Sequence, residues 1–350
     1  VTSVGLVLGA GGVVGQAYHA GVLAALETEL GWDPRTANVI VGSSAGAVTS
    51  TALRMGIAGS DLAAVAAGTP LSPEGAQLME QILPDASDLP PMPAGSWLRP
   101  WRPPSTALLA RFGRRPWAFR PGVAAMTLIP AGKVDLSQRG DSLHKMVGDQ
   151  WPDRLWICAV RRTDGVRVVF GRPGSPPASL ASAVLASCSI PGYFVPIAIG
   201  GVEYFDGGVH SPTNADVLRY HQLDLVIVIS PMSAVHPRGS APDGLLRWSA
   251  HRRLERESRI LQSRGTTVIR FEPSPESLDV MGLRPMANDR SDRVGAAAYR
   301  ETLRRMEFTH LGKRLGVNKT GPPARTFGPG PDSPGEVGIS VRTGSVAHER

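Results

Sequence analysis

The sequence predicts an α/β fold built on a mostly parallel sheet, and two observations predict it. A unit of short apolar strand, glycine-bearing turn and helix occurs twice within the first 60 residues, which is how parallel strands with crossover helices read. Short apolar runs then keep alternating with helical stretches to about residue 315.

Taken in order, Val4 to Leu8 is a buried strand, followed by the glycine loop Gly9 to Gly15 and a helical stretch through Ala17 to Leu26. Val39 to Val41 is the second strand. After Gly42-Ser43-Ser44-Ala45-Gly46, small residues from Ala47 to Leu53 read as helix up to Gly56. Leu155 to Val160 and Val166 to Phe170 flank a Thr163-Asp164-Gly165 turn and predict a hairpin. Ser179 to Ser187 is a short helix, and Val195 to Ile199 with Val202 to Phe205 form a second close pair around Gly200-Gly201. Leu225 to Ile229 is a strongly apolar strand, Leu245 to Gln262 an amphipathic basic helix, Thr267 to Phe271 a strand, and Asp292 to Leu315 a last helical region.

Composition narrows the class. At 350 residues, 42% apolar and 19% charged, the chain is of globular type, while 40 Gly and 31 Pro are too many for a helix bundle. Two interruptions absorb much of that excess. Between about Asp85 and Lys133 the sequence is Pro-rich, carries Trp97, Trp101, Trp117 and Phe119 beside Arg99, Arg102, Arg111, Arg114, Arg115 and Arg120, and has no acidic residue from Leu89 to Val134. Residues 317–350 are dominated by Pro, Gly, Ser and Thr without periodicity and are expected to be a disordered tail.

The formal charge of +7 favours anionic partners. Nucleic acid is not expected, for lack of zinc-finger spacing, an RNP-type aromatic pattern or a basic heptad helix. No apolar run approaches the ~20 residues of a membrane span, and the N-terminus lacks a charged signal-peptide region, so a cytoplasmic location is expected. Cys158 and Cys188 lie in apolar surroundings and read as small buried hydrophobes rather than as a disulfide or metal framework.

The chemistry concentrates at Gly42-Ser43-Ser44-Ala45-Gly46, a G-x-S-x-G pentapeptide between a strand and a helix. The central serine, Ser44, then occupies a sharp turn, Gly42 and Gly46 let strand and helix approach closely, and the helix N-terminus favours negative charge beside the hydroxyl. An ordinary Gly/Ser turn is the competing reading. Acyl transfer also needs donors for the developing oxyanion, and the glycine loop after the first strand can bring backbone N–H groups close to substrate. A dinucleotide fingerprint fits that loop poorly, because Gly9, Gly11 and Val14 miss the third glycine of G-x-G-x-x-G. Phe205-Asp206-Gly207-Gly208 closes a strand and is by itself a tight bend.

Four signals in order resemble the patatin-like phospholipase family: the glycine loop running into Tyr18-His19-Ala20-Gly21-Val22-Leu23, the Gly-Ser-Ser-Ala-Gly elbow, Ala186-Ser187-Cys188-Ser189-Ile190-Pro191, and the turn Asp206-Gly207-Gly208. The resemblance implies a three-layer α/β/α domain over residues 1–316 and a Ser-Asp dyad without histidine. It also implies Ser44 as nucleophile, Asp206 as base, and Gly11, Gly12, Val13 and the Ala45 N–H as oxyanion donors. It implies hydrolysis of acyl-lipid esters through an acyl-enzyme, with no metal or other cofactor. A carboxylate with its ordinary pKa near 4 is a poor match to a serine hydroxyl, so Asp206 would accept the proton only as attack proceeds. Two positions depart from the family pattern: Val14 stands where a basic residue is usual, and Ala10 where a glycine is.

His19, His144, His210 and His221 are the competing triad bases, with His210 only four residues past Asp206. The Arg/Trp stretch is expected to cover the active site and touch an anionic membrane surface, against the plainer reading of a loop-rich cap. The Leu245 to Gln262 helix is expected to be a solvated face with Glu255 and Glu257 among its arginines. An acyltransferase using the same acyl-enzyme and a non-catalytic lipid-binding module are the remaining alternatives.

Overall fold

In the computed structural model, residues 2–82, 103–118, 120–126, 128–236, 241–309 and 311–315 are described. The first part of the chain runs β1 (Val4–Leu8), α1 (Gly12–Leu30), β2 (Val39–Gly42), α2 (Ala45–Arg54), α3 (Gly59–Ala67) and α4 (Pro73–Ile82). After the interruption come α5 (Thr106–Arg114), α6 (Pro121–Met126), α7 (Gly140–Val147), β3 (Leu155–Arg161), β4 (Arg167–Phe170), α8 (Leu180–Ser187), β5 (Ile197–Ile199) and β6 (Val202–Asp206). The chain continues through β7 (Leu225–Ile229), α9 (Ala241–Gln262), β8 (Thr267–Phe271), α10 (Pro275–Met281), α11 (Ser291–Thr309) and α12 (Leu311–Leu315). Two expectations shift here: the last helical region divides into α11 and α12, and the first helix begins at Gly12, inside the glycine loop. Residues 85–102 of the Arg/Trp stretch, with Trp97 and Trp101, and the expected tail at 317–350 lie outside the described residues.

The sheet is mixed and mostly parallel. β2, β1, β7 and β8 are parallel neighbours, and β2 is also parallel to β3. β4 and β6 run antiparallel to β3, and β5 antiparallel to β6. The β5–β6 turn is Gly200-Gly201, both at positive φ (57° and 76°), which a two-residue hairpin turn requires. Strand side chains alternate between two faces. Leu6, Leu8, Ile40, Leu155, Ile227 and Ile229 pack with α1, α2, α8 and α11, whereas Val7, Val41, Trp156, Cys158, Val226 and Val228 pack with Leu254 and Leu261 of α9. Helices thus cover both faces, giving three layers. α1 is buried along most of its length because it lies between the sheet and α11; a Cβ at Gly21 would strike the Gly295 carbonyl.

Register brings the functional loops together. Leu8 of β1 is level with Gly42 of β2 and Ile229 of β7, so three parallel strands end flush and their following loops share one rim. The antiparallel arm supplies the fourth loop. β3 uses one edge for β4, pairing Ile157 with Phe170 and Ala159 with Val168. On its other edge, Ile157 faces Gly42 of β2 and Ala159 faces Asp206 of β6. β2 and β6 therefore approach each other end to end along that edge, two residues of β3 apart, about 7 Å of strand.

α5 and α6 sit over this junction through a small cluster of Leu108, Val123 and Met126 against Val160 and Phe205. Their attachment includes the Arg162 guanidinium donating to the Pro103 carbonyl at 2.6 Å.

Candidate active site

Ser44 follows β2 at φ 54°, ψ −118°, a conformation that a residue with a side chain reaches only under strain, about 1–3 kcal/mol. Close backbone packing holds it there. The Gly46 N–H donates to the carbonyls of Gly9 (3.1 Å) and Ser43 (2.9 Å), and a Cβ at Gly46 would collide with the Leu8 carbonyl. The Ser44 N–H donates to Ser187 Oγ at 2.9 Å, and that hydroxyl donates to the Cys158 carbonyl at 2.7 Å, in the segment of β3 between the two facing strand ends.

Asp206 ends β6 and is buried, with its N–H donating to the Ser189 carbonyl at 3.0 Å. Gly207 presses against the Cys158 carbonyl, so the turn after Asp206 leaves no room for a side chain. Burial raises the Asp206 carboxyl to about 6, while hydrogen bonds from the Ser44 hydroxyl and the Gly208 N–H pull the other way. The Gly208 bond is 2.7 Å. The carboxyl is therefore better matched to proton transfer than the ordinary value assumed from the sequence. Ser44 and Asp206 are neighbours because two strand ends are aimed at each other along one edge of β3.

The loop Gly9 to Val13 lies across this pair. The Ala10 N–H donates to Pro212 (2.8 Å), and Gly9 accepts from Gly46, so the loop is tied to both the Asp206 arm and the elbow. Gly12 takes φ 63° against the Pro285 carbonyl, and Gly11 packs on Pro231. α1 starts without a side-chain cap. Among the described residues no acceptor meets the N–H groups of Gly11, Gly12, Val13 or Ala45, the unpaired donors that two helix starts leave. Val14 is buried and donates its N–H to Pro285 at 3.1 Å; apolar packing and two prolines brace the loop where a basic residue is usual.

A family model described as patatin-like phospholipase matches residues 6–219. The chain belongs to the patatin-like phospholipase family. Lipid hydrolysis is the activity at the level of that family. No curated protein matches the chain. Among solved structures it is similar to VipD from Legionella pneumophila, at 14% identity and a TM-score of 0.41, with 88% of this chain and 67% of that chain covered. It is also similar to the ExoU–SpcU complex from the type III secretion system of Pseudomonas aeruginosa, at 18% identity and a TM-score of 0.27, with 90% of this chain and 60% of that chain covered.

Behind the patatin-like elbow lies a network that sequence reasoning missed. Asn214, in left-handed conformation at φ 55°, donates through Nδ2 to Ser43 Oγ (2.9 Å), the Gly207 carbonyl (3.1 Å) and the Ser211 carbonyl (2.7 Å). One amide thus bridges the residue before Ser44 and the residue after Asp206. Its Oδ1 accepts from Arg167 at 3.0 Å, and Arg167 makes a two-pronged bond with Asp216 at 2.5 and 2.9 Å. Glu257 of α9 accepts from Thr213 Oγ1 (2.7 Å) and the Ala215 N–H (2.9 Å). It is 2% exposed, which corrects its reading as part of a solvated face.

The four histidines serve elsewhere. His19 is buried in α1 with Nδ1 3.3 Å from Thr49 Oγ1, and burial drives it down to about 3. His210 Nδ1 lies 3.1 Å from both Arg120 and Asn214 Oδ1, and burial with Arg167 and Arg120 brings it to about 3. His144 pairs with Asp149 (3.0 Å), and His221 stacks edge-on against Trp156. Both cysteines are pushed up by burial, Cys158 to about 12, and Cys188 Sγ lies 3.5 Å from the Ser44 carbonyl.

Beside the elbow a cavity of about 530 Å³ opens between α1, α2 and α3, walled by Val13, Ala17, Val48, Ala52, Leu62 and Val65. Val13 belongs to the glycine loop, and Val48 lies one helical turn past Ser44, so the cavity borders the loop and the first turn of α2. Among the described residues no helix is long and apolar enough to cross a membrane.

Proposed function

We propose that the protein is a serine hydrolase of carboxylic esters in acyl-lipids, with Ser44 as nucleophile and Asp206 as base. The observation that carries the reading is a strained Ser44 on the elbow facing the buried Asp206 carboxyl, whose pKa burial raises to about 6 and the neighbouring Ser44 hydroxyl pulls back down. The Ser44 oxygen attacks the ester carbonyl as its proton moves to Asp206. The developing oxyanion takes hydrogen bonds from the unpaired N–H groups of the Gly11–Val13 loop and Ala45; one such donor is typically worth about 100- to 1,000-fold in rate. Asp206 then protonates the departing alcohol, leaving acyl-Ser44. Water attacks the acyl carbon, gives a proton to Asp206, and that proton returns to Ser44 as the acid leaves.

The acyl chain lies in the cavity beside Val13 and Val48, whose size falls in the range of about 300–1,000 Å³ usual for small-molecule sites. Support for an aggregated lipid as substrate comes from exposed Met232, Val235, Leu246, Trp248, Leu283 and Met286, on the segments that include Pro231 and Pro285 under the glycine loop and on the start of α9 beside them. Trp117, 81% exposed, supports contact of the cap with the same surface.

The test is a series of acyl esters of increasing chain length, run on the parent, Ser44→Ala and Asp206→Asn proteins, with fluorophosphonate labelling alongside. The expected result is chain-length-dependent hydrolysis that falls by more than about 1,000-fold in each variant, and labelling lost in Ser44→Ala. Hydrolysis surviving both substitutions would overturn the assignment.

A further inference from the structure

The arginine-rich stretch is only partly explained as a cover for the ester site. Its described part forms one wall of a second cleft, of about 330 Å³, which shares no lining residue with the acyl cavity. Arg111 of α5, Arg120 just before α6, Arg167 at the start of β4, Asp164 of the β3–β4 turn and His210 line it.

The charges in this cleft do not balance. Asp164 is held by Arg161, with Nε at 3.0 and 3.1 Å and a terminal nitrogen at 2.8 Å, and lies 3.9 Å from Arg111. Arg167 is matched by Asp216. Arg120 has no carboxylate among the described residues; its polar partners there are the His210 ring at 3.1 Å and the His210 carbonyl at 3.4 Å, both through one terminal nitrogen. Burial, followed by repulsion from Arg253, holds its guanidinium below its ordinary pKa, with Asp216 pulling the other way. A half-buried cation set among other cations is costly unless an anion completes it. A guanidinium fork with free N–H groups suits the oxygens of a phosphate better than a single carboxylate.

We propose that this cleft is a binding site for a phosphate-bearing anion, held by Arg120 and Arg111 with Arg167 adding to the positive field. The site is separate from the ester-cleaving centre and its occupancy does not depend on the hydrolase reading. It sits one side chain from Asn214, through His210, so an occupant lies next to the amide that braces both loops of the patatin-like site.

The test uses the full chain and measures thermal unfolding against inorganic phosphate, with chloride at equal ionic strength as reference. Glycerol 3-phosphate and sedimentation with vesicles of phosphatidylcholine, with and without phosphatidic acid, are separate arms. The expected result is a saturable rise in Tm with phosphate that chloride does not reproduce. Its midpoint should move at least about tenfold higher in Arg120→Gln and less in Arg111→Gln, with circular dichroism showing both variants folded. If Arg120→Gln does not fold, Arg111→Gln and Arg120→Lys carry the comparison. A response to the soluble phosphates assigns a free anion. Vesicle binding that needs phosphatidic acid and is weakened by the same substitutions, without a soluble response, assigns a lipid head group. Equal responses of parent and variants, or no response in any arm, would overturn the proposal.

Discussion

The two strand ends that form the site are secured by different means. On the Ser44 side the constraint is backbone against backbone: Gly46 lies on the Leu8 carbonyl, its N–H reaches Gly9, and no side chain fits between them. On the Asp206 side Gly207 is packed as closely on the Cys158 carbonyl, but a relay of side chains is added, from Asn214 to Arg167 to Asp216, with Glu257 holding the same loop from α9. Backbone contact of the first kind admits one arrangement, whereas a polar relay can be weakened by degrees. Ser44 is thus placed chiefly by backbone contacts, while the position and acidity of the Asp206 carboxyl also depend on the side-chain relay and are the adjustable part.

The largest effect expected comes from breaking the rigid side. Gly46→Ala puts a methyl into the Leu8 carbonyl, which β1 cannot relieve without losing its register with β2 and β7. Overpacking of this kind costs about 3 kcal/mol or more. Denaturant unfolding should show that loss, and a near-neutral Gly46→Ala would mean that the elbow is less constrained than its contacts indicate.

On the adjustable side, Asp206→Asn should stabilise the protein. The carboxyl is raised from 3.8 to about 6 in the folded chain, so the unfolded chain gives up its proton first. Stability is lost as pH rises through that window, and the loss is complete above it. About two units correspond to roughly 3 kcal/mol. Unfolding of Asp206→Asn and parent should coincide below pH 4 and differ by up to that amount above about pH 7. Ester hydrolysis by the parent should switch on with the same group, reaching half its plateau near pH 6. A stability difference independent of pH would show that the carboxyl is not perturbed by burial.

The same division explains what could be read in advance. Strand, pentapeptide and helix are contiguous, so the elbow at Ser44 was legible from local pattern, and the sheet class followed from the repeated unit. Asp206 was an ordinary Asp-Gly bend until the resemblance singled it out, because its neighbour Ser44 is reached only through β3. Asn214 had no signal at all: it sits in a Pro-Thr-Asn-Ala turn, 171 residues from the serine it holds. Glu257 did have one. Leu254, Glu257, Ser258 and Leu261 form an i, i+3, i+4, i+7 stripe that is buried throughout, and attention to the surrounding arginines hid it.

Removing the bridge between the sides sharpens the comparison further. Asn214→Ala takes the Asn214 donor from the Ser211 carbonyl and the Ser43 hydroxyl in a buried site, while the Gly207 carbonyl keeps the His210 and Ser211 N–H groups, an expected cost of about 2 kcal/mol. Because Ser43 and Ser44 keep their backbone contacts, the misplacement should fall on Asp206. The expected kinetic signature is a kcat lowered about 10- to 100-fold with KM little changed. Equal loss in fluorophosphonate labelling and in ester turnover would place the damage at the serine instead.

The smallest effect tests whether the rigid side depends on any side chain. Ser187 Oγ links the Ser44 backbone to β3, accepting from the Ser44 N–H and donating to the Cys158 carbonyl. Ser187→Ala removes the acceptor for one buried N–H and the donor for one carbonyl, while Gly46, Gly9 and Leu8 keep their contacts. One unsatisfied buried pair costs about 1–2 kcal/mol, but the strained φ of Ser44 is enforced by the glycines on either side. Stability should therefore fall by about that amount, with kcat changing less than about threefold. A drop in kcat as large as that of Asn214→Ala would show that the elbow, too, is held by side chains, and the contrast between the two strand ends would disappear.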